Sequence, residues 1–463
     1  MKARHILILG VVGYLVLGIL AAYFYQERTI ILDPSFLVFS IARTGNFAIQ
    51  ANRFGAVVTQ IFPWLGVHLH LPMKWILFFY SVGVVFYYFT CFFVVFKWLK
   101  NANLALAVLL INTFMVSYTF WWMQIEFAQG IAMSMVFLAF MTQSRQWQDY
   151  NAIEISAFFL MLISLLYFHP LMPFLLVYLL VFGLLDEKLK LPWKQFWTVA
   201  ILSAAILYFK NYVMVIAAYD DEADKGINNF YTLPSYWNIQ SNRNFIEYLK
   251  KDYYLLPLGL LAGVIVYLLQ RKWLKLLLLV GGFFSYLLLV NVSFQQGMPQ
   301  FHIESFYLPL SVFVILPLVF DVFPLIKKEP ISLSLLGVVL AVRITHIGLL
   351  HKPYSNRLAL ENRILDQVEQ MDNKKLVLDQ KDLPLDTLIM TWGSSYEFWL
   401  LSSIRNPDAP RSIVIDEDPA RFDWALGSNN TFFTEWGNYP YAELPKEYFN
   451  FTDISFYQRT KLK

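Results

Sequence analysis

The chain has 463 residues, 58% hydrophobic, 18% aromatic and only 15% charged, with a net charge of +3. Soluble domains carry about a quarter charged residues, so this composition excludes an ordinary soluble enzyme, and no nucleic-acid partner is expected. A mean hydropathy of +0.50 points instead to a polytopic, all-α membrane protein.

A bilayer core needs about 20 apolar residues per helix. Apolar runs predict eleven spans, at 5–25, 75–96, 104–122, 127–142, 153–168, 170–185, 196–216, 253–270, 274–291, 305–325 and 331–350. The first begins Met-Lys-Ala-Arg, as a signal peptide would. It is long, however, ends in Tyr23, Phe24 and Tyr25, and lacks a small-residue cleavage site, so an uncleaved first helix is expected. Basic residues concentrate in the short segments on the N-terminal side, among them Lys97, Lys100, Lys188, Lys190, Arg271, Lys272, Lys327 and Lys328. By the positive-inside rule the N-terminus is cytoplasmic, and an odd number of spans puts the tail outside. A bacterial inner or plasma membrane is the expected location.

The first external loop, 26–74, is too long for a plain connector. Its stretches 35–41 and 46–58 carry apolar residues at helical spacing and predict helices lying in the interface. Asp33-Pro34 follows the first span, where Asp suits an N-cap and Pro the first helical position. The second external loop is the short run from Trp121 and Trp122 to Glu126. A carboxylate at the membrane boundary faces a cavity or partner, or snorkels beside an interfacial tryptophan belt. Proline breaks the chain at His169-Pro170. Lys210, near the external end of its helix, is explained by snorkelling. The loop 217–252 opens with Asp220 and Asp221 and continues through Trp237 and Arg243, a mix of acids, rings and amides suited to sugars as well as to solvent. The segment 295–304 is kinked by Gly297 and Pro299 and ends in His302 and Glu304. Arg343 lies some seven residues inside its span, where a guanidinium facing an external cavity would hold a phosphate in bidentate fashion.

From residue 351 the composition changes. The tail holds 17 of the 33 acidic residues and 13 of the 36 basic ones, a net charge of −4. Helical patterns at 355–371 and 394–403 alternate with strand-like runs at 375–379 and 412–416, predicting a small α/β domain. Trp392, Trp399, Trp424 and Trp436 are candidates for leaning on the membrane part. The domains are thus 1–350 and 351–463. Cys91 is the sole cysteine, so no disulfide forms within the chain. His68 and His70 lack a third ligand nearby. There is no Walker loop, dinucleotide fingerprint or HExxH.

Taken together, Asp33 after the first span, Glu126 between spans three and four, the His169-Pro170 junction and the Phe301-His302-Ile303-Glu304-Ser305-Phe306 segment resemble the GT-C superfamily of integral membrane glycosyltransferases. The resemblance covers residues 1–350 in architecture. It departs from the family in having one acid, not a pair, in the first loop, and in lacking the second acid and the arginine of the His-Lys-Glu-type motif. It implies transfer of a sugar from a polyprenyl-phosphate donor to a glycan, lipid or protein acceptor at the outer face. Asp33 would be the base and Glu126 its helper. Arg343, or else Lys210, would hold the donor phosphate, His302 and Glu304 the donor, and the 217–252 loop the sugar. No cofactor is specified; a divalent metal, Mg or Mn, is left open. The alternatives are a polysaccharide polymerase or ligase, a lipid-linked-saccharide transporter, and a scaffold whose tail docks envelope proteins.

Overall fold

A computed structural model describes residues 2–143, 145, 147–213, 235–371, 373 and 375–461. The chain is mostly helical and membrane-embedded, with a small sheet near its C-terminus. Among the described residues five helices are long and apolar enough to cross a bilayer: Ala3–Tyr23, Met73–Trp98, Trp273–Ser293, Gln300–Leu325 and Glu329–Glu369, the last made of Glu329–Leu349 and Lys352–Glu369 with a turn at Leu350 and His351 between them. A sixth arises if Gln240–Lys251 and Leu255–Leu269, bent by 91°, count as one span. Ala3–Tyr23 shows why such helices suit lipid: Ile6, Tyr14, Leu17 and Ala21 are buried, while Val12, Leu15 and Ile19 point outward and are exposed. Gln300–Leu325 is the central helix, buried over most of its length.

Several expected spans are shorter than a straight crossing requires. The run 104–122 is helical only over Ala102–Ile111, and ten residues at 1.5 Å rise cover about 15 Å, half the hydrocarbon core. Glu126–Met141, Ala152–Leu166 and Met172–Leu185 are also short.

The reason for the early stop is a buried stretch of irregular backbone, 112–125. Non-helical chain is tolerated in a membrane protein only where protein satisfies its peptide groups. Three buried charges do so here. Glu304 accepts the N–H groups of Ser117 (2.7 Å), Tyr118 (3.1 Å) and Thr119 (2.9 Å), and the hydroxyls of Thr119 and Tyr253. Arg343 donates to the carbonyls of Thr113, Val116 and Asp252 and to the Ser117 hydroxyl. Arg28 donates to the Phe120 carbonyl and to the Ser81 carbonyl and hydroxyl. A guanidinium has five donors and no acceptor, which makes it an effective partner for several carbonyls that no helix can use.

The first loop also differs from expectation. Residues 35–41 belong to the helix Leu32–Thr44, whose Val38, Phe39, Ile41 and Ala42 are buried against Tyr396, Trp399 and Phe432 of the tail rather than in the interface. Residues 46–58 are not one helix; a single 3-10 turn, Phe54–Ala56, leads into Val57–His68.

The tail begins as a continuation of the last span. Lys352–Glu369 leads to β1 (Lys375–Asp379), the helix Ser394–Arg405 and β2 (Ser412–Asp416). The sheet order is β2-β1-β5, all parallel, with β5 at Gln458–Arg459; β3 (Thr431–Thr434) and β4 (Gly437–Pro440) form a separate hairpin. Of its tryptophans, Trp399 is buried, stacked on Phe449 and edge-on to Phe39, while Trp424 and Trp436 are exposed. Residue 351 therefore does not bound the tail's core, which includes side chains from 38–84.

Candidate active site

Asp33, Glu126 and His302, far apart in the chain, meet at the end of the bundle where the tail sits. Asp33 is part-buried on the first turn of Leu32–Thr44. It is not an N-cap: Ile31 holds that position and makes no side-chain cap bond. The Asp33 carboxylate instead accepts from the Trp122 indole N–H at 2.9 Å. Trp122 lies in the irregular segment pinned by Glu304, Arg343 and Arg28, so those charges set its position. Its ring stacks on Phe301 at 4.6 Å and meets His302 edge-on at 5.7 Å.

Glu126 opens the helix Glu126–Met141 and faces Arg53, Nη1 to Oε2 3.5 Å. Both side chains are mostly buried. Arg53 was not among the expected site residues. It follows Ala51 and Asn52, both in the left-handed region (φ 46° and 56°), a conformation that costs an alanine about 1 kcal/mol. Backbone strain of this kind collects where a side chain must be aimed. Gly55 then lets the loop lie on Phe168: an added Cβ would come within 2.5 Å of that ring. The neighbouring His169 is buried, accepts the Leu171 N–H at Nδ1, stacks on Phe127 (4.4 Å) and meets Phe306 edge-on (5.3 Å). Arg53 is within electrostatic reach of Asp33, His169 and His302.

Burial and, next, the charge of Glu126 push the Asp33 carboxyl up to about 7, against the opposing pull of the Trp122 bond and of Arg53. A carboxyl held near neutrality beside a second carboxylate and a cation is suited to take up and release a proton.

No family model, curated protein or solved structure matches this chain.

The other expected residues are not at this cluster. Glu304 and Arg343 are fully buried in backbone bonds, as described, and have no free face for a donor. Lys210 reaches the Leu166 carbonyl (3.2 Å) and lies over the Tyr167 ring, on the His169 flank. Trp237 is exposed beside Tyr236, and Arg243 is exposed on Gln240–Lys251. Asp220 and Asp221 lie outside the described residues.

The tail closes the site from behind. Glu397 accepts the backbone N–H of Leu32, next to Asp33, at 2.5 Å, and its other oxygen takes Arg357 at 2.6 Å. Arg357 also pairs with Glu361. Leu32 itself has φ +32°, and Gly393 packs so tightly that an added Cβ would come within 2.9 Å of the Leu32 Cα. This clamp was invisible in the sequence, since nothing in a helical pattern at 394–403 marks Glu397 as buried.

Two cavities stand apart from the cluster. One, about 480 Å³, lies at the opposite end of the bundle, and a small one is enclosed near Tyr14 and Arg28. Volume alone would favour the first. The neighbouring carboxylates and the arginine beside them make the Asp33 cluster the candidate site.

Proposed function

We propose that the chain is a membrane glycosyltransferase of GT-C type, which moves a sugar from a polyprenyl-phosphate donor to an acceptor hydroxyl at the membrane face covered by the tail. The observation that carries this reading is the part-buried Asp33 carboxylate on the Trp122 indole, within electrostatic reach of the Glu126–Arg53 pair, with Phe301 stacked on Trp122. Asp33 takes the proton of the acceptor hydroxyl as the acceptor oxygen bonds to the anomeric carbon. The bond from that carbon to the phosphate oxygen breaks, and the lipid phosphate leaves with the electron pair. Arg53, rather than Arg343, stands where it receives the phosphate charge. His302 and Trp122 line the sugar side. Attack opposite the leaving group inverts the anomeric centre.

A divalent ion fits this set in one way. Asp33 and Glu126 supply two carboxylates, as in sites where Mg is completed by substrate phosphates and water, and among the described residues no third acid, His or Cys joins them. Bound there, it would neutralise phosphate charge.

The test is transfer of radiolabelled sugar from polyprenyl-phosphate donors by purified wild-type and Asp33→Asn protein, with envelope extract as acceptor. Transfer by the wild type that Asp33→Asn abolishes supports the reading. No transfer from any donor shifts it to the transporter or scaffold alternatives.

A further inference from the structure

The cavity at the end of the bundle opposite the Asp33 cluster has no role in that chemistry. It lies where Met172–Leu185, Leu255–Leu269, Trp273–Ser293 and Gln300–Leu325 end or begin, and it is lined by Asp186, Glu187, Lys188, Arg271, Lys272 and Lys275, with Asp321. At about 480 Å³ it falls within the usual range of small-molecule sites.

Its floor is internally neutral. Lys275 bridges Asp186 (2.6 Å) and Asp321 (2.9 Å), and Lys272 takes the other Asp321 oxygen (2.7 Å). The Tyr267 hydroxyl also donates to Asp321. The rim is not neutral. Lys188 donates only to the Phe320 carbonyl, and among the described residues no carboxylate pairs with it or with Arg271. Glu187 on the same rim offsets one of these charges, leaving a net cation.

Arg271 is also held in an unusual way. It caps Leu255–Leu269 in the left-handed region (φ 56°), a position that favours glycine. Lys100, just past the helix that ends at Trp98, and Lys190, in the turn after Met172–Leu185, also lie in the left-handed region (φ 52° and 50°). These backbone positions normally go to glycine or asparagine, so basic residues occupy them at a conformational cost. The mouth is apolar on its outer side, where Trp273, Leu274 and Leu325 are exposed on helices that suit a bilayer.

We infer that this cavity binds the phosphate headgroup of an anionic phospholipid, with Lys188 and Arg271 on the phosphate, Trp273 at the headgroup level, and the acyl chains leaving over Leu274 and Leu325. Basic pockets between spans on the positively flanked side hold such headgroups. A free phosphate shares the headgroup chemistry but has no use for the apolar lip.

The experiment uses the delipidated full chain in detergent. Melting midpoints are measured against phosphatidylglycerol, phosphatidylcholine and inorganic phosphate, for the wild type, for Lys188→Gln with Arg271→Asn, and for Lys446→Ala in the tail. Asparagine tolerates the left-handed cap, so the double variant keeps the turn. The expected result is a saturable upward shift with phosphatidylglycerol, unchanged in Lys446→Ala and needing at least tenfold more lipid in the double variant. Equal shifts with phosphatidylcholine, an unaltered response in the double variant, or full reproduction by inorganic phosphate would each overturn the assignment. None of these readouts depends on sugar transfer.

Discussion

Glu304 offers the sharpest separation of structural from chemical roles. Replacing it with alanine strips the acceptors from three fixed backbone donors, those of Ser117, Tyr118 and Thr119. The Thr119 and Tyr253 hydroxyls can turn elsewhere, but the N–H groups cannot. A buried donor left unpaired costs roughly 1–3 kcal/mol, so three give roughly 3–9 kcal/mol before the segment relaxes. Domain stabilities are about 5–15 kcal/mol, and Glu304→Ala should therefore yield little folded protein. Glu304→Gln keeps the oxygen that serves Ser117 and Thr119 and loses the one facing Tyr118, a loss of about 2 kcal/mol for one orphaned N–H. The assay is tryptophan fluorescence during heating of detergent-solubilised protein, with size-exclusion profiles as a check. The expected order is wild type, then glutamine, then alanine. Alanine melting with the wild-type midpoint would refute the pinning role and return Glu304 to the donor site.

Other consequences follow from the same geometry. The Asp33 carboxyl is raised when folded, so wild-type stability falls as pH rises from the ordinary carboxyl range through about 7 and is level beyond. Asp33→Asn should accordingly melt above the wild type at pH 8, lose that advantage near pH 4, and show no transfer; a lower midpoint at pH 8 would contradict the burial argument. In the wild type, transfer should rise through pH 7 as Asp33 ionises, and a flat profile from 5 to 9 would remove Asp33 as the base. Arg53→Gln should raise KM for the lipid donor about tenfold or more while leaving the fold intact, and an unchanged KM would move the phosphate elsewhere. Gly393→Ala drives a Cβ against the Leu32 backbone, at a cost of about 1–3 kcal/mol for overpacking; it should lower transfer and speed proteolysis of the tail, and neither effect would be seen if the tail merely rests on the bundle.

How far these features could be read in advance depended on the kind of signal. The runs at 375–379 and 412–416 appear as the expected strands and five of the long apolar runs as helices of spanning length, while 104–122, 127–142, 153–168 and 170–185 give shorter helices. Asp33, Glu126 and His302 stood out because polar groups at span ends are few. Glu304 and Arg343 carried the same signal with a different meaning. A charge inside an apolar run looks identical whether it faces a ligand or closes backbone bonds, and only the path of 112–125 decides between them. That path was hidden because its residues are apolar enough to extend a helix. Arg53 was hidden for the opposite reason: it sits among ordinary loop residues, and its aim comes from the left-handed turn at Ala51 and Asn52.

The helix Lys352–Glu369 follows the spanning helix Glu329–Leu349 after only the turn at Leu350 and His351, and this arrangement gives the molecule a mechanical property. The part beyond the bundle, Lys352–Glu369, has 18 residues and is about 27 Å long at 1.5 Å per residue. A tilt of about 10° at the membrane therefore sweeps its tip by about 5 Å on that length. Arg357 rides on this lever and grips Glu397, which in turn grips Leu32. A spanning helix meets a change in bilayer thickness partly by tilting, so such a change would be passed along these contacts to the turn that carries Asp33.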